Sequence, residues 1–238
     1  MDGLISLGAI LGLLLLAGCA AGLADRKHFA PRWLIAAMLL VAINDALLTG
    51  FYGALPQVAP QLQWNWQGKV LAMAATYAIA LLPAFQWRNA GLTLKLIPGS
   101  LKSAIPVLAL YGLFFLAISL AFPSGPGSAE DMAFQLTMPG FEEEPFYRGL
   151  LLLALDRAFT ARVRFLGVDW GWGAIFSCTL FGLAHAFSYS DGHFAFEPLF
   201  MALTAFPAFI AVWLRVRTGS VLLPVIMHNF GNAIPLLV

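Results

Sequence analysis

Eight long apolar runs, separated by short polar connections, account for most of the chain. They lie at about 4–23, 33–50, 70–85, 103–122, 132–155, 172–188, 198–214 and 220–238. The connections carry charge, proline or glycine, as loops commonly do. Because a membrane-crossing helix needs roughly 20 mostly apolar residues, this pattern predicts an all-α fold, a polytopic transmembrane helix bundle of about eight spans.

The composition excludes several other classes of protein. Hydrophobic residues make up 61 % of the 238 residues and charged residues 11 %, whereas a soluble domain is about 25 % charged. We therefore expect the lipid bilayer to cover the surface of this protein. A net charge of +1 argues against nucleic acid as a partner, because nucleic-acid binding needs a basic face. The short loops favour a bacterial inner (plasma) membrane.

Three adjacent carboxylates, Glu142, Glu143 and Glu144, interrupt the fifth apolar run. Removing even one ionised carboxylate from water costs several kcal/mol, so a purely structural helix would not keep them. Pro139-Gly140 breaks the chain just before them, and Pro145 suits an early helical turn. We therefore expect the carboxylates near a helix N-terminus, where the helix dipole favours negative charge.

Helical spacing assigns different roles to the three carboxylates. Glu144 precedes Arg148 by four residues, which is the favoured order for an intrahelical ion pair. Glu143 projects about 100° away from Glu144 and is free to face another helix. The spacing predicts a supporting pair of Glu144 and Arg148, with Glu143 as the working base. Glu142 is interpreted as the solvated start of the helix.

Polar side chains also interrupt the sixth and eighth runs. His185 follows Phe181 by four residues in the sixth run, and the eighth run contains His228 and Asn232. The last two are also four residues apart, so they share one helical face. A lone histidine in an apolar helix is typical of a hydrogen-bond partner within a bundle. Polar groups on three separate runs indicate a common site instead.

These residue types suit hydrolysis. A glutamate and a histidine that meet at one water molecule can remove its proton, which is general-base catalysis. A second histidine together with an asparagine can donate hydrogen bonds to a developing oxyanion.

In order and in placement on separate helices, these motifs resemble the signature of the type II CAAX prenyl endopeptidase and bacteriocin-processing (CPBP, or abortive-infection) family. The matching residues are Glu143, Glu144, Arg148, Phe181, His185, His228 and Asn232. The resemblance covers roughly residues 132–236. It implies a glutamate-dependent intramembrane endopeptidase that cuts a membrane-associated protein or peptide, whether prenylated or not.

The resemblance also implies roles for the candidate catalytic residues. Glu143 and His185 would activate water, and His228 and Asn232 would stabilise the oxyanion. Glu144 and Arg148 would hold the architecture. The expected organisation is N-terminal transmembrane helices without a recognised motif at 1–125, followed by an intramembrane protease core domain at 126–238. No oligomeric state is predicted.

Three alternative functions remain open on the sequence alone. Glu143, His185 and His228 would make a plausible three-ligand zinc site with an open fourth position, although the preferred mechanism requires no cofactor. The chain could instead be a non-catalytic immunity or chaperone-like membrane protein of the same fold. A transporter with an intramembrane proton relay would need ionisable groups at several depths, and the other runs offer mainly Asp45.

The distribution of lysine and arginine predicts the orientation in the membrane. They concentrate in the connections after the first, third, fifth and seventh runs, at Arg26, Lys27, Arg32, Arg88, Lys95, Lys102, Arg157, Arg162, Arg164, Arg215 and Arg217. The alternate connections hold Lys69 alone or acidic residues. Since basic connections face the cytoplasm, both termini are predicted outside.

A reporter enzyme fused to the C-terminus tests this orientation. We expect activity only from a reporter that works outside the cytoplasm, because eight crossings return the chain to the side on which it began. A C-terminal fusion that is active in the cytoplasm would contradict the predicted topology.

Overall fold

The computed structural model describes residues 1–238, which form a helix bundle with two small β-hairpins. The helices are α1 (Asp2–Ala24), α2 (Pro31–Leu48), α3 (Gly50–Gly53), α4 (Trp66–Ala80), α5 (Leu101–Ala121), α6 (Ala129–Gln135), α7 (Met138–Glu144), α8 (Leu152–Ala158), α9 (Trp172–Ala186), α10 (Pro198–Thr218) and α11 (Leu222–Ala233). A π-helical segment, Pro145–Leu151, joins α7 to α8, and 3-10 turns lie at Arg26–His28 and Ile234–Leu237.

Four helices, α1, α2, α5 and α10, are long and apolar enough to cross a membrane. The predicted helical bundle is confirmed, but the count of about eight spans is not. Helices α4 and α9 contain 15 residues each and α11 contains 12. At 1.5 Å per residue they extend only about 18–23 Å, less than the roughly 30 Å of hydrocarbon. The apolar runs of the sequence included residues that the structure places in turns.

The fifth apolar run is divided into several elements, and a proline accounts for part of the division. Pro145 has no N–H group to donate to the carbonyl of Phe141, four residues earlier. The Tyr77 hydroxyl donates to that carbonyl instead, at 3.3 Å. Pro145 follows the seven residues of α7 and is the first residue of the π-helical segment, so the expectation that the carboxylates lie near a helix N-terminus is wrong. The three carboxylates therefore occupy the last residues of α7.

The largest part of the core packs α2 against α8 and the π-helical segment. Leu150, Leu151 and Leu155 are fully buried, and Leu34 of α2 is 2 % exposed. These side chains form one apolar cluster that also includes residues of α1 and α9. The cluster holds the π-helical segment, and with it the end of α7, in the middle of the bundle.

Two β-hairpins interrupt the all-α pattern. The strands β1 (Val163–Phe165) and β2 (Val168–Trp170) pair antiparallel, as do β3 (Phe187–Ser190) and β4 (His193–Phe196). Both residues of each connecting turn have positive φ, which is typical of type I′ hairpin turns. The second hairpin directly follows α9 and leads into α10.

The connection before α4 is bound to α6. The Glu130 carboxylate accepts hydrogen bonds from the backbone N–H groups of Gln63 and Trp64, at 2.9 and 3.2 Å. It also accepts the indole N–H of Trp66 at 3.3 Å. The Phe134 ring stacks on Trp64 and meets Trp66 edge-on, with centroids 4.8 and 5.1 Å away. Polar and aromatic contacts thus join the first half of the chain to α6.

Replacing Asp131 by asparagine tests the charge in this contact. The Asp131 carboxylate accepts the Trp64 indole N–H at 2.7 Å and forms a capping box with Ser128, and these hydrogen bonds lower its pKa. A lowered folded-state pKa contributes stability above the ordinary aspartate value, about 3.9. That stability is lost as the pH falls through the folded-state value.

We expect Asp131→Asn to lower the melting temperature of the detergent-solubilised protein at pH 7. The difference from wild type should shrink as the pH falls below about 3.9, because the aspartate is then protonated in the unfolded chain and, at still lower pH, in the folded protein as well. A difference that stays constant down to pH 3 would show that the charge of Asp131 is not what stabilises the contact.

Candidate active site

The three carboxylates of α7 are all withdrawn from solvent. Glu142 and Glu144 are 0 % and 1 % exposed, and the side chain of Glu143 is 12 % exposed. The interpretation of Glu142 as the solvated start of a helix is therefore wrong. Helices α4 and α11 pack against α7, so each of these acids needs a partner inside the bundle.

An ammonium group that the sequence reasoning missed pairs with the first two acids. The Nζ atom of Lys69, at the start of α4, lies 2.7 Å from Oε2 of Glu142 and 2.5 Å from Oε1 of Glu143. Lys69 had been interpreted as a single charge in a polar connection. A count of charges could have found it, because Arg148 alone leaves two of the three adjacent acids without a cation.

The predicted ion pair of Glu144 and Arg148 is present and buried. Arg148 Nε lies 3.1 Å from Glu144 Oε2, with the two side chains 2 % and 1 % exposed. Glu144 has a second partner that the spacing did not predict. Its Oε1 accepts a hydrogen bond from Nδ1–H of His228 at 2.7 Å. Glu144 therefore links its own helical segment to α11.

His228 stands between two glutamates. While Nδ1 is bound to Glu144, Nε2 lies 3.6 Å from Oε2 of Glu143. That separation exceeds a normal hydrogen bond, so Nε2 remains available to another atom in the site.

A buried asparagine next to His228 joins α11 to the beginning of α7. Oδ1 of Asn229 accepts the backbone N–H of Gly140 at 2.7 Å. A Cβ atom at position 140 would lie 2.4 Å from that oxygen, so only glycine permits the contact. The sequence predicts only a chain break at Gly140, and it does not mark Asn229 as a site residue. No local pattern marks such a contact between helices.

The remaining two predicted residues are more exposed. His185 lies in the last turn of α9, and Asn232 lies near the end of α11. Nδ1–H of His185 donates to the Phe181 carbonyl at 2.8 Å, because a carbonyl oxygen can only accept. In the neutral ring, Nε2 of His185 is therefore the unprotonated nitrogen.

All six predicted site residues line one cavity of about 450 Å³. Residues from the first half of the chain also contribute to it, namely Trp64, Asn65, Lys69, Tyr111 and Phe115. A neighbouring depression of about 740 Å³ is lined by residues between Leu48 and Leu71 and has no ionisable side chain. The chemistry therefore belongs to the smaller cavity.

An aromatic ring lies at the centre of the charged groups. The guanidinium carbon of Arg148 is 4.2 Å from the Phe181 ring centroid, a cation–π distance. The rings of His185 and His228 have centroids 4.6 and 6.0 Å from the same ring. The Phe181 ring thus lies next to all three groups.

Glu143, His185 and His228, the residues suggested for zinc, are not arranged as a three-ligand site in this structure. No group of three or more His, Cys, Asp or Glu side chains is arranged to hold a metal ion. Glu143 is paired with the ammonium of Lys69 instead, and a divalent cation there would meet that positive charge. The geometry suits acid–base chemistry by side chains.

Residues 126–234 match the protein-family model described as type II CAAX prenyl endopeptidase Rce1-like. The matched segment contains α7, α9 and α11, and with them every residue of the three motifs. The resemblance drawn from those motifs is thereby confirmed. No curated protein and no solved structure matches the chain.

Two arginine ion pairs, one buried and one exposed, provide a matched test of the role of Arg148. Breaking a buried pair leaves an uncompensated charge and costs roughly 3–5 kcal/mol, whereas an exposed pair is worth about 0–1 kcal/mol. Arg164 and Asp169 have the same 3.1 Å separation, but their side chains are 63 % and 57 % exposed.

We expect Arg148→Met to lower the melting temperature in detergent strongly and Arg164→Met to change it little. Equal effects of the two substitutions would contradict a structural role for the buried pair.

Proposed function

Because residues 126–234 match the type II CAAX prenyl endopeptidase Rce1-like family model, we propose that the chain is an intramembrane endopeptidase of that family. Its substrate would be a peptide bond of a membrane-associated protein or peptide. The observation that carries the proposal is that one carboxylate oxygen of Glu143 is free. Its Oε2 atom is buried, has no hydrogen-bond partner and belongs to a residue that lines the cavity.

Glu143 and His185 are the proposed pair that activates water. The free Oε2 of Glu143 accepts a proton from water, and the unprotonated Nε2 of His185 orients the same molecule. Proton transfer to a positioned side chain accelerates hydrolysis by roughly 10²–10⁴-fold.

His228 and Asn232 are the proposed donors to the oxyanion. Nδ1–H of His228 is bound to Glu144, so Nε2 can donate only if the ring carries a second proton. The proposed mechanism uses the ring in that form.

The reaction then proceeds by addition and elimination. The water oxygen forms a bond to the carbonyl carbon as its proton moves to Glu143. The oxyanion is held by the N–H groups of His228 and Asn232. When the C–N bond breaks, the proton on Glu143 passes to the leaving amine. The cycle ends with a carboxylic acid and an amine, and with Glu143 ionised again.

No metal is required in this mechanism, because Glu143 supplies the base and His228 the positive charge. The proposed substrate class includes both prenylated and unprenylated proteins and peptides. A bacterial inner membrane is the proposed location, based on the apolar helices and short connections.

Comparison of membrane peptides from cells that express wild type or Glu143→Gln tests the proposal. We expect the wild type to shorten at least one membrane-associated protein and Glu143→Gln to reduce that cleavage by roughly 10²–10⁴-fold. Glutamine keeps the size of the side chain but cannot accept the proton.

Glu197→Gln is the matched control, because Glu197 is exposed and lies outside the cavity; it should cleave like wild type. If no membrane protein changes length between wild type and Glu143→Gln, the chain is a non-catalytic member of the fold. If a chelator abolishes cleavage and zinc restores it, the metal-free mechanism is wrong.

A further inference from the structure

Lys69 belongs to α4 and lies outside the segment that matches the family model. Its ammonium nevertheless reaches the proposed base. It contacts one oxygen of Glu142 and one of Glu143, and its own side chain is 13 % exposed. Lys69 is therefore far less exposed to solvent than the lysines of the connections, such as Lys95.

The two oxygens of Glu143 are therefore in different environments. Oε1 accepts the Lys69 hydrogen bond, whereas Oε2 is buried without a partner. The two oxygens of Glu142 differ in the same way, because Oε2 is bound to Lys69 and Oε1 has no hydrogen-bond partner. One ammonium thus fixes both carboxylates by one oxygen each and leaves Oε2 of Glu143 free for chemistry.

The position of Lys69 is set by contacts at the start of α4. Asn65 caps the helix by accepting the N–H of Gly68 at 3.0 Å, and its amide donates to the Leu48 carbonyl at 2.7 Å. A Cβ atom at position 68 would lie 2.3 Å from that carbonyl. Helix α4 therefore begins in tight contact with the end of α2, one residue before the lysine.

The other charged groups near Glu143 cannot replace Lys69. Glu142 and Glu144 on the same helix are negative, and Arg148 is paired with Glu144. His228 of α11 approaches Glu143 only to 3.6 Å and is bound to Glu144. His185 of α9 is bound through Nδ1 to a backbone carbonyl. Lys69 is thus the permanent cation in direct contact with Glu143.

We infer that Lys69 is a positioning residue for the proposed base. It anchors Oε1 of Glu143, keeps the carboxylate ionised in an apolar site and directs Oε2 to the water that the mechanism uses. The inference rests on the proposed function for the meaning of Glu143, but the contact itself can be tested without any substrate.

The first test measures the charge of Glu143 by infrared spectroscopy in detergent. A Glu142→Gln/His228→Asn background removes the competing acid and the imidazole that the proposed mechanism uses as a cation, so that Lys69 faces Glu143 alone. We expect Lys69→Met in that background to add the carbonyl band of a protonated carboxyl group at pH 7, and a further Glu143→Gln to remove it. If the folded Glu142→Gln/His228→Asn/Lys69→Met protein lacks the band, Lys69 does not keep Glu143 ionised and the inference is wrong.

The second test measures cleavage of those membrane proteins whose shortening Glu143→Gln abolishes. Loss of a charge-assisted hydrogen bond should make Lys69→Met on the order of 10- to 100-fold slower. The acid limb of its pH–rate profile should move to higher pH, and Lys69→Arg should restore part of the rate. Lys95→Met serves as the matched control and should cleave like wild type.

The two tests separate the possible failures. If Glu143→Gln changes no cleavage, the proposed function is wrong, and the infrared result still decides the role of Lys69. If Glu143→Gln abolishes cleavage but Lys69→Met keeps the wild-type rate and pH profile, the protease assignment stands and the inference about Lys69 is overturned.

Discussion

The fold depends on the compensation of three adjacent carboxylates inside an apolar bundle. An ionised carboxylate removed from water costs several kcal/mol unless it is paired. Here the partners are Lys69 on α4, Arg148 on the π-helical segment and His228 on α11. Helix α7 can keep its acids only when all of these elements are docked around it. Assembly of the bundle and assembly of the site are therefore coupled, and the coupling includes a helix from the first half of the chain.

The backbone polar groups of α7 are also compensated by neighbouring helices. A polar backbone group in an apolar interior needs a partner, and irregular helices expose such groups. The Phe141 carbonyl left free by Pro145 accepts the Tyr77 hydroxyl, and the Gly140 N–H donates to Asn229. The partners come from α4 and α11, the helices that also supply Lys69 and His228. Each irregular point of α7 is thus compensated by a neighbouring helix, which keeps the acids in one place.

The relationships that could be predicted from the sequence are those within one helix. The spacing of Glu144 and Arg148 determines their pairing wherever the helix lies, and the order of the three motifs indicated the family. Contacts between helices depend on how the helices dock, which no local pattern contains. Lys69 with Glu143 and Asn229 with Gly140 are contacts of that kind. The hairpin at Asp191-Gly192 is different, since Asp-Gly is a strong turn signal, but the apolar runs on both sides concealed it.

Phe181 gives the site a property that its charged residues alone would lack. Its ring contacts the guanidinium of Arg148 and lies close to the imidazoles of His185 and His228. An aromatic ring cannot reorient to screen a charge as water does, so it acts as an electrical insulator. Charges act on one another more strongly where the local dielectric constant is low. The phenyl group thereby makes each neighbouring charge more effective than the same charge would be in water, without contributing any charge of its own.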